Sequence, residues 1–352
     1  MNDQGARRLN LSKEKEEFHF LGRGMDINDP GLTISDKSVD GILHFSHHAM
    51  ATVFEVFIHG EDPVYARQAA HEAFQEVDRL EQELSRYIPN SDISCLNALA
   101  PSGEMLLAPD AFDCLSLALR YSTETNGAFD VTVGALMNVL LTRDKQLKRP
   151  SEEEVRQAKE RTGMHHLRLN EAEQSVKVLD VVPQIDLGAI GKGYAVDRLI
   201  ALLKEWDVGS VLVHGGTSSV FARGAIPGHK GWPVTLSSPS SPDIVLARLD
   251  VAEFGLGGSG VKKGRHIIDP RTASPVPGGR AAWVKAESAT CADAISTACM
   301  VMTKEEIAQF SAAHPQVQML LVETLEEGKE TVYRYGFPGD EDASARLTAN
   351  IS

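Results

Sequence analysis

The period of the apolar residues changes along the chain, and this change limits the folds that the chain can adopt. Between positions 63 and 86 apolar residues recur about every 3.6 positions, which predicts an amphipathic helix. The segments 51–59 (ATVFEVFIH) and 210–216 (SVLVHGG) instead have the composition of strands, the second ending in a glycine turn. Helices and strands are mixed without strict βαβ repetition, so the sequence favours an α+β fold over a doubly wound parallel sheet.

The remaining elements follow from helix-start and turn signals. Further helices are expected from Pro109 to a glycine stop at Gly127, after Ser151, near Ala292 and over 304–313. Short strands are expected over 166–170, 175–180 and 317–323. The segment 184–206 predicts a strand, a glycine-rich turn and a helix that ends near Trp206.

The two ends of the chain differ from its middle. Residues 1–45 are polar and broken by Pro, Gly and Asp, which predicts a loosely structured extension. Residues 46–340 then form the main domain, and 341–352 form a C-terminal tail. The polar N-terminus does not resemble a signal peptide, and no window approaches 18 consecutive apolar residues. We therefore expect a cytoplasmic protein without a membrane span.

Charge and cysteine content exclude several classes of protein. The net charge of −14 disfavours binding to nucleic acids, which usually requires a basic surface, and to anionic membranes. The four cysteines show neither paired nor zinc-type spacing. We interpret them as small buried side chains in a reducing compartment.

One glycine-rich segment, 186–195 (DLGAIGKGYA), has the composition of an anion site. A turn that leads into a helix presents backbone N–H groups, and Lys192 adds a positive charge suited to phosphate. The spacing matches neither the P-loop nor the dinucleotide-binding fingerprint. A tight turn with a surface lysine explains the same residues equally well.

Two further clusters carry reactive side chains. The segment 266–272 (HIIDPRT) combines a possible base, His266, with Asp269 and Arg271, although such clusters are often only hydrogen-bonded turns. Asp293 and Thr297 are four residues apart at a predicted helix start, and so share one face that suits Mg²⁺. Taken alone, Asp293 is better explained as a carboxylate that stabilises the helix N-terminus.

Considered together, these segments resemble the ApbE family of flavin transferases over residues 46–325. The matching motifs occur in the family's order: MAT at 50–52, LSRY at 84–87, SDIS at 91–94 followed by LN at 96–97, GAFDVTVG at 127–134, DLGAIGKGYAVD at 186–197, GG at 215–216, HIIDPRT at 266–272 and ADAIST at 292–297. Each motif alone is weakly specific, but their order identifies the chain as similar to this family.

The resemblance implies an α+β, T-fold-like fold of the ApbE type, with two lobes and FAD in the cleft between them. The residues that match the family's flavin contacts are Met50, Tyr87, Ala128, Phe129, Asp130, Asp186, Lys192 and Ile267. The residues that match its Mg²⁺ ligands are Ala189, through its carbonyl, Asp293 and Thr297.

The resemblance also implies a reaction. A threonine hydroxyl of a target flavoprotein would attack the FAD pyrophosphate, so that FMN becomes ester-linked to the target and AMP leaves. Lys192 would hold the phosphates, and His266 is the candidate base. Two alternatives remain open: an FAD-binding protein without transfer, and an FAD pyrophosphatase that yields FMN and AMP.

The chain departs from the family pattern at three places. The glycine pair is flanked by His214 and Thr217, where the family usually has Asn or Asp beside it. Only VKKGR separates Gly260 from His266, which predicts a shortened hairpin, and Ala273 replaces a usual glycine. The first two departures are expected near the cleft, where they would affect efficiency or target recognition.

Overall fold

The computed structural model describes residues 18–20, 33–39, 41–241, 243–260, 266–324 and 329–337. The strands are β1 (Phe18–Phe20), β2 (Thr33–Val39), β3 (Ile42–Ala49), β4 (Thr52–His59), β5 (Glu104–Leu106), β6 (Leu167–Asn170), β7 (Ser175–Val178), β8 (Ser210–Gly215), β9 (Ser219–Arg223), β10 (Trp232–Ser237), β11 (Val245–Val251), β12 (Phe254–Gly260), β13 (Ile268–Asp269), β14 (Ser274–Pro275), β15 (Arg280–Ala286), β16 (Gln318–Thr324) and β17 (Glu330–Tyr335). The helices are α1 (Pro63–Leu84), α2 (Asp92–Asn97), α3 (Pro109–Glu124), α4 (Gly134–Leu140), α5 (Glu152–Glu160), α6 (Gly191–Glu205), α7 (Ala289–Val301) and α8 (Lys304–Ala313), with a 3₁₀ turn at Met164–His166.

Nine strands form one antiparallel sheet in the order β17-β16-β15-β12-β9-β8-β4-β3-β2. The sequence of strand β8 is a continuous apolar run because its successive residues pack into two different cores. Val211 and Val213 belong to the core that contains the helices, whereas Leu212 belongs to a second core that contains β10 and β11. Because alternate side chains of a strand point to opposite faces, a sheet covered on both faces needs apolar residues at successive positions.

The second core covers the face of the sheet opposite the helices. Strands β1, β10 and β11 form a separate three-stranded sheet, and Trp232 of β10 is fully buried with Trp283 of β15. A third small sheet has the order β5-β7-β6. Apart from the parallel pair β1–β10, the paired strands are antiparallel, and their mixture with helices confirms the predicted α+β class.

Glycines allow helix α7 to lie directly on strand β12. A Cβ atom on Gly255 would come within 2.4 Å of the backbone of Ala289, and one on Gly257 within 2.3 Å of the backbone of Ala292. Gly193 of α6 approaches Ala289 equally closely, with a Cβ-to-oxygen distance of 2.3 Å. Three glycines therefore bring α6, α7 and β12 within backbone contact.

Most of the sequence-predicted elements are confirmed. Helix α1 is capped by Asp62, whose side chain accepts hydrogen bonds from the amides of Val64 and Tyr65. Helix α5 begins with a capping box between Ser151 and Glu154. Helices α3 and α8 and strands β4, β6, β7, β8 and β16 also lie within a few residues of their predicted positions.

Three predictions about local structure are wrong. The segment before the glycine turn forms only an isolated bridge between Gln184 and Val133, because its amides bond to a loop and not to a full strand. Helix α7 begins at Ala289 behind its N-cap Ser288, so Asp293 lies in its second turn. Parts of the supposedly loose extension, Thr33–Val39 and Ile42–Ala49, are paired strands at the sheet edge.

The proposed division of the chain at residue 45 falls within β3 and stays a prediction. The predicted tail 341–352 and the segment 261–265, for which a shortened hairpin is predicted, lie outside the described residues. Within the part of the chain that the structure describes, no helix combines the length and apolar character needed to cross a membrane.

Helices α6 and α7 cap each other. The carboxylate of Asp197 in α6 accepts hydrogen bonds from the amides of Ala289 and Thr290, both at 2.8 Å, and from the Thr290 hydroxyl. In return, Asp293 of α7 accepts from the amide of Gly193, and no side-chain cap precedes α6 at Ile190. Each helix thus satisfies N–H groups that the other leaves without an intrahelical partner.

We expect Asp197→Ala to lower the free energy of unfolding by about 2–3 kcal/mol, because it removes three hydrogen bonds to a charged group. Urea denaturation at neutral pH measures the change. Ser288→Ala removes the N-cap bond to Cys291 and should cost about 1 kcal/mol. Equal losses in the two variants would contradict the capping role of Asp197.

Candidate functional site

A cavity of about 950 Å³ collects the side chains that the sequence analysis predicts for a site. The lining includes Met50, Tyr87, Ala128, Phe129, Asp130, Asp186, Ala189, Lys192, His266, Ile267, Asp293 and Thr297. These residues come from segments up to 247 positions apart (297 − 50), and the sheet and helices bring them to one place. Their individual roles stay predictions.

Asp293 is the most enclosed charged group of the cavity, at 4% exposure. Its Oδ2 accepts hydrogen bonds from the Ser219 hydroxyl at 2.6 Å and from the Gly193 amide at 2.9 Å. Burial raises the pKa of Asp293 to about 6, although Lys192 and these two hydrogen bonds oppose the shift. A buried carboxylate with a raised pKa is well suited to bind a cation, which restores the stability of its charged form.

Lys192 lies in the first turn of α6, directly after the glycine turn. Its Nζ donates to the carbonyl of Gly188 at 3.3 Å and lies 3.9 Å from Oδ2 of Asp293. The side chain is partly exposed to the cavity. The helix N-terminus and this ammonium group therefore present positive charge beside a carboxylate, as a site for an anion and a cation together requires.

Thr297 lies one turn after Asp293 on the same face of α7 and lines the same cavity. Carboxylate, hydroxyl and backbone carbonyl oxygens are the donors that Mg²⁺ prefers. Asp293, Thr297 and the carbonyl of Ala189 together supply this set. Among the described residues there is no cluster of three His, Cys, Asp or Glu side chains that could hold a metal ion.

Tyr87 also lines the cavity and is 77% exposed. The Arg86 guanidinium lies 5.1 Å from the centre of the Tyr87 ring, donates to Asp186 at 3.0 Å and donates to Asn138 at 2.6 Å. Asp186 also accepts from the Gly188 amide at 2.8 Å. Arg86 and Asp186 thus connect the exposed aromatic ring with the glycine turn.

Asp130, another predicted flavin contact, is held within its own turn. Its Oδ1 accepts from the amide of Thr132 at 2.8 Å and from the Thr132 hydroxyl. Burial raises the pKa of Asp130, and the hydrogen bonds from Thr132 partly offset this. The carboxylate therefore fixes the 130–132 turn while it lines the cavity.

Met50 and Ala51 form a two-residue turn between β3 and β4, and both have left-handed φ angles, +50° and +55°. Hairpins of this kind usually place Asn and Gly at these positions. Neither Met nor Ala has the local hydrogen bonds that make this conformation tolerable for Asn. The backbone strain is located at the cavity wall, where strained residues are commonly functional.

The two parts of the 266–272 cluster separate in the structure. His266 lines the cavity, but Asp269 and Arg271 do not. The backbone amide of Arg271 donates to the Asp269 carboxylate at 2.8 Å, and the Arg271 guanidinium donates to Glu306 at 2.7 Å. Asp269 and Arg271 pair with each other and with Glu306 of α8, which fits the alternative interpretation of this segment as a hydrogen-bonded turn.

The unusual His214 likewise lies away from the cavity. Its ring is buried on the opposite face of the sheet, at an edge-to-face distance of 5.8 Å from Phe57, and burial lowers its pKa. Gly216 forms the turn after β8 with a φ of +67°. A Cβ atom at this position would collide with the side chain of Thr52. Of the residues flanking the glycine pair, only Thr217 faces the cavity.

Sequence reasoning missed three residues that orient site residues, Arg86, Ser219 and Ser259, and also Asp197, which caps helix α7. Only Arg86 had a local signal, because it precedes Tyr87 in a motif that was already identified. The partners of the other three are 37 to 93 positions away. Such contacts depend on sheet register and helix packing, which no local pattern reveals.

The sequence model of the ApbE family matches residues 50–321. The FAD:protein FMN transferase of Klebsiella pneumoniae is 29% identical over 275 residues, covering 74% of this chain and 78% of the relative. The protein of the same name from Escherichia coli K12 is 28% identical over 272 residues, covering 73% and 77%.

Solved structures show the same fold. The apo form of Pseudomonas stutzeri flavinyl transferase ApbE superposes with a TM-score of 0.75 at 24% identity, covering 86% of this chain and all of the other. The flavin transferase ApbE from Vibrio cholerae gives a TM-score of 0.73 at 23% identity, covering 83% and 96%. These similarities confirm the predicted ApbE-type fold.

Proposed function

Because the chain belongs to the ApbE family, we propose that it is an FAD:protein FMN transferase. Two relatives that align with about three quarters of the chain carry that name. The observation that carries the proposal is the pairing of Lys192 with the buried Asp293 at the N-terminus of α6, inside the cavity. This pairing suits a pyrophosphate together with a divalent cation.

We assign Mg²⁺ to Asp293, Thr297 and the carbonyl of Ala189. The buried carboxylate fits a hard cation, because both of its hydrogen bonds from described residues go to Oδ2 and leave Oδ1 for a ligand. When bound, the ion neutralises charge that develops on the phosphate oxygens. The remaining coordination positions of Mg²⁺ are ordinarily taken by phosphate and water.

The residues of this chain then have separate tasks. The acceptor threonine of a target flavoprotein forms a bond from its oxygen to the phosphorus of the FMN half. The P–O bond of the pyrophosphate breaks, and AMP leaves with the bridging oxygen. Lys192 holds the phosphates in place, and His266 is the candidate to accept the threonine proton.

We assign the flavin half of FAD to Met50, Tyr87, Phe129 and Ile267, which line the cavity. Tyr87 offers an exposed ring for stacking, with Arg86 on it. Asp186 fixes both Arg86 and the glycine turn, so that the ring site and the phosphate site are held in one geometry.

One assay separates the proposed function from its alternatives. The protein is incubated with FAD, Mg²⁺ and a peptide that carries an acceptor threonine, and protein-bound FMN and free AMP are measured. Covalent FMN on the peptide supports transfer. FMN and AMP only in solution indicate an FAD pyrophosphatase, whereas unchanged FAD indicates a binding protein without transfer.

Replacing Tyr87 with alanine should weaken FAD binding by about 2- to 10-fold, since an aromatic pair contributes about 0.5–1.5 kcal/mol beyond its buried area. Quenching of flavin fluorescence during titration measures the dissociation constant. Tyr65→Ala is the matched control, because Tyr65 is also exposed but does not line the cavity. If the two variants bind FAD with equal affinity, the flavin ring of FAD does not stack on Tyr87.

A further inference from the structure

Strand β12 presents three small residues in alternation to helix α7. Gly255 and Gly257 have no side chain, and so the helix backbone lies against them. Ser259 is the next residue on that face, and its hydroxyl oxygen lies 2.8 Å from that of Ser296 and 3.2 Å from that of Thr297. The close packing of α7 therefore places a strand hydroxyl against the side chain assigned to the metal.

The single proton of each hydroxyl group determines the direction of these hydrogen bonds. Ser296 donates to the carbonyl oxygen of Asp293 at 2.9 Å, and this acceptor has no proton to give. A serine hydroxyl has one proton, so Ser296 must accept from Ser259. Because the Ser259 hydroxyl donates its single proton to Ser296, it can only accept a hydrogen bond from the Thr297 hydroxyl.

This direction has a consequence for Thr297. Its proton points to Ser259, and its oxygen lone pairs are directed away from the strand. A hydroxyl that binds a cation must direct an oxygen lone pair at the cation and donate its proton to a different acceptor. Threonine in a helix otherwise alternates between rotamers and donates to a carbonyl in the preceding turn.

We propose that Ser259 is a positioning residue that fixes the Thr297 hydroxyl for metal binding. The inference rests on the proposed function, because the cation is the Mg²⁺ of that reaction. Asp293 is already oriented by Ser219 and Gly193. Among the described residues, Ser259 is the only side-chain partner of the Thr297 hydroxyl, so its loss is not compensated.

The test measures Mg²⁺ affinity by binding as well as by turnover. Wild type, Ser259→Ala and Ser259→Thr are saturated with FAD and titrated with Mg²⁺ while flavin fluorescence is followed, and Mn²⁺ binding is measured by electron paramagnetic resonance. Ser259→Ala should bind both ions about 10- to 100-fold more weakly, the range found for residues that orient metal ligands. Ser259→Thr keeps the hydroxyl and should restore affinity to within about threefold.

Two controls distinguish positioning from general destabilisation. FAD affinity without metal should be equal in wild type and Ser259→Ala. Ser288→Ala weakens the start of α7 without touching the hydroxyl chain, and it should leave Mg²⁺ affinity unchanged. Unchanged metal affinity in Ser259→Ala, or an equal loss in Ser288→Ala, overturns the proposal.

The outcomes also separate this proposal from the proposed function. If wild type binds Mg²⁺ and Ser259→Ala does not, but no FMN reaches the acceptor peptide, the transferase assignment fails and the role of Ser259 stands. If wild type transfers FMN with a Mg²⁺ response that Ser259→Ala shares fully, the role of Ser259 fails and the transferase assignment stands. A wild type that binds neither Mg²⁺ nor Mn²⁺ contradicts both.

Discussion

Asp293→Asn should reduce AMP release and FMN transfer by about 10²–10⁴-fold and remove the response to Mg²⁺, because the charge stabilisation that a metal supplies amounts to several kcal/mol. The amide oxygen can still accept from Gly193 and Ser219 in place of Oδ2. The amide nitrogen then occupies the position of Oδ1, where its protons repel a cation. AMP release measured across a Mg²⁺ titration gives both the rate and the metal response.

Asparagine is more informative here than alanine, since Asp293 also caps α6 and its complete removal would perturb the helix. In metal-free buffer above pH 6 the asparagine variant should be as stable as wild type or more stable. Burial holds the pKa of Asp293 at about 6, above the value of about 3.8 of a free side chain. The ionised form is therefore costly above pH 6, and that cost disappears as the pH falls and the carboxyl group is protonated.

Asp197→Asn is the control for this variant. Asp197 is likewise buried and caps a helix, but it does not line the cavity. It should change stability with little effect on the Mg²⁺ response. A turnover of Asp293→Asn within a few-fold of wild type, with an unchanged Mg²⁺ response, would rule out the metal-ligand role and leave Asp293 as a helix cap only.

Gly257→Ala should cost about 3–5 kcal/mol of unfolding free energy or prevent folding. The added Cβ would lie 2.3 Å from the backbone carbonyl of Ala292, and neither the central strand nor the helix can move without breaking its hydrogen bonds. Overpacking by one methyl group usually costs less, about 1–3 kcal/mol, because flexible side chains give way. Urea denaturation measures the loss.

Gly260→Ala, on the same strand, is the matched control for stability. Among the residues that the structure describes, its Cβ would meet only the Ala281 side chain, at an ordinary 3.6 Å, so the free energy of unfolding should stay within about 1 kcal/mol of wild type. If Gly257→Ala folds, the displaced α7 should also show weakened Mg²⁺ binding, because Asp293 directly follows Ala292. Equal stability of the two variants would contradict the close contact between β12 and α7.

Local signals in the sequence were sufficient for most of the framework. The 3.6-residue period of α1, the capping box at Ser151 and the apolar run of β8 depend on residues within a few positions of each other. The ordered motifs also led to the family and to the residues that line the cavity. The same local reasoning failed at 184–190, where strand-like composition lacked a partner strand.

The contacts made by those residues could not be predicted from the sequence. The sequence placed Asp293 at a helix start, where a dipole alone could explain it, but the structure buries it between Ser219 and the amide of Gly193. It likewise grouped His266 with Asp269 and Arg271, whereas the fold leaves only His266 in the cavity.

The sequence by itself determined most of the helices, five of the strands (β4, β6, β7, β8 and β16), the α+β class and the membership of the chain in its family, because period, caps and turns are set by neighbouring residues. Only the tertiary structure decided which hydroxyl faces Thr297, which carboxylate caps α7 and which side of the sheet holds His214. These contacts join positions 38 to 157 residues apart through strand register and helix packing. Register and packing are fixed by burying both faces of one sheet at once, a condition on the whole chain that no short segment contains.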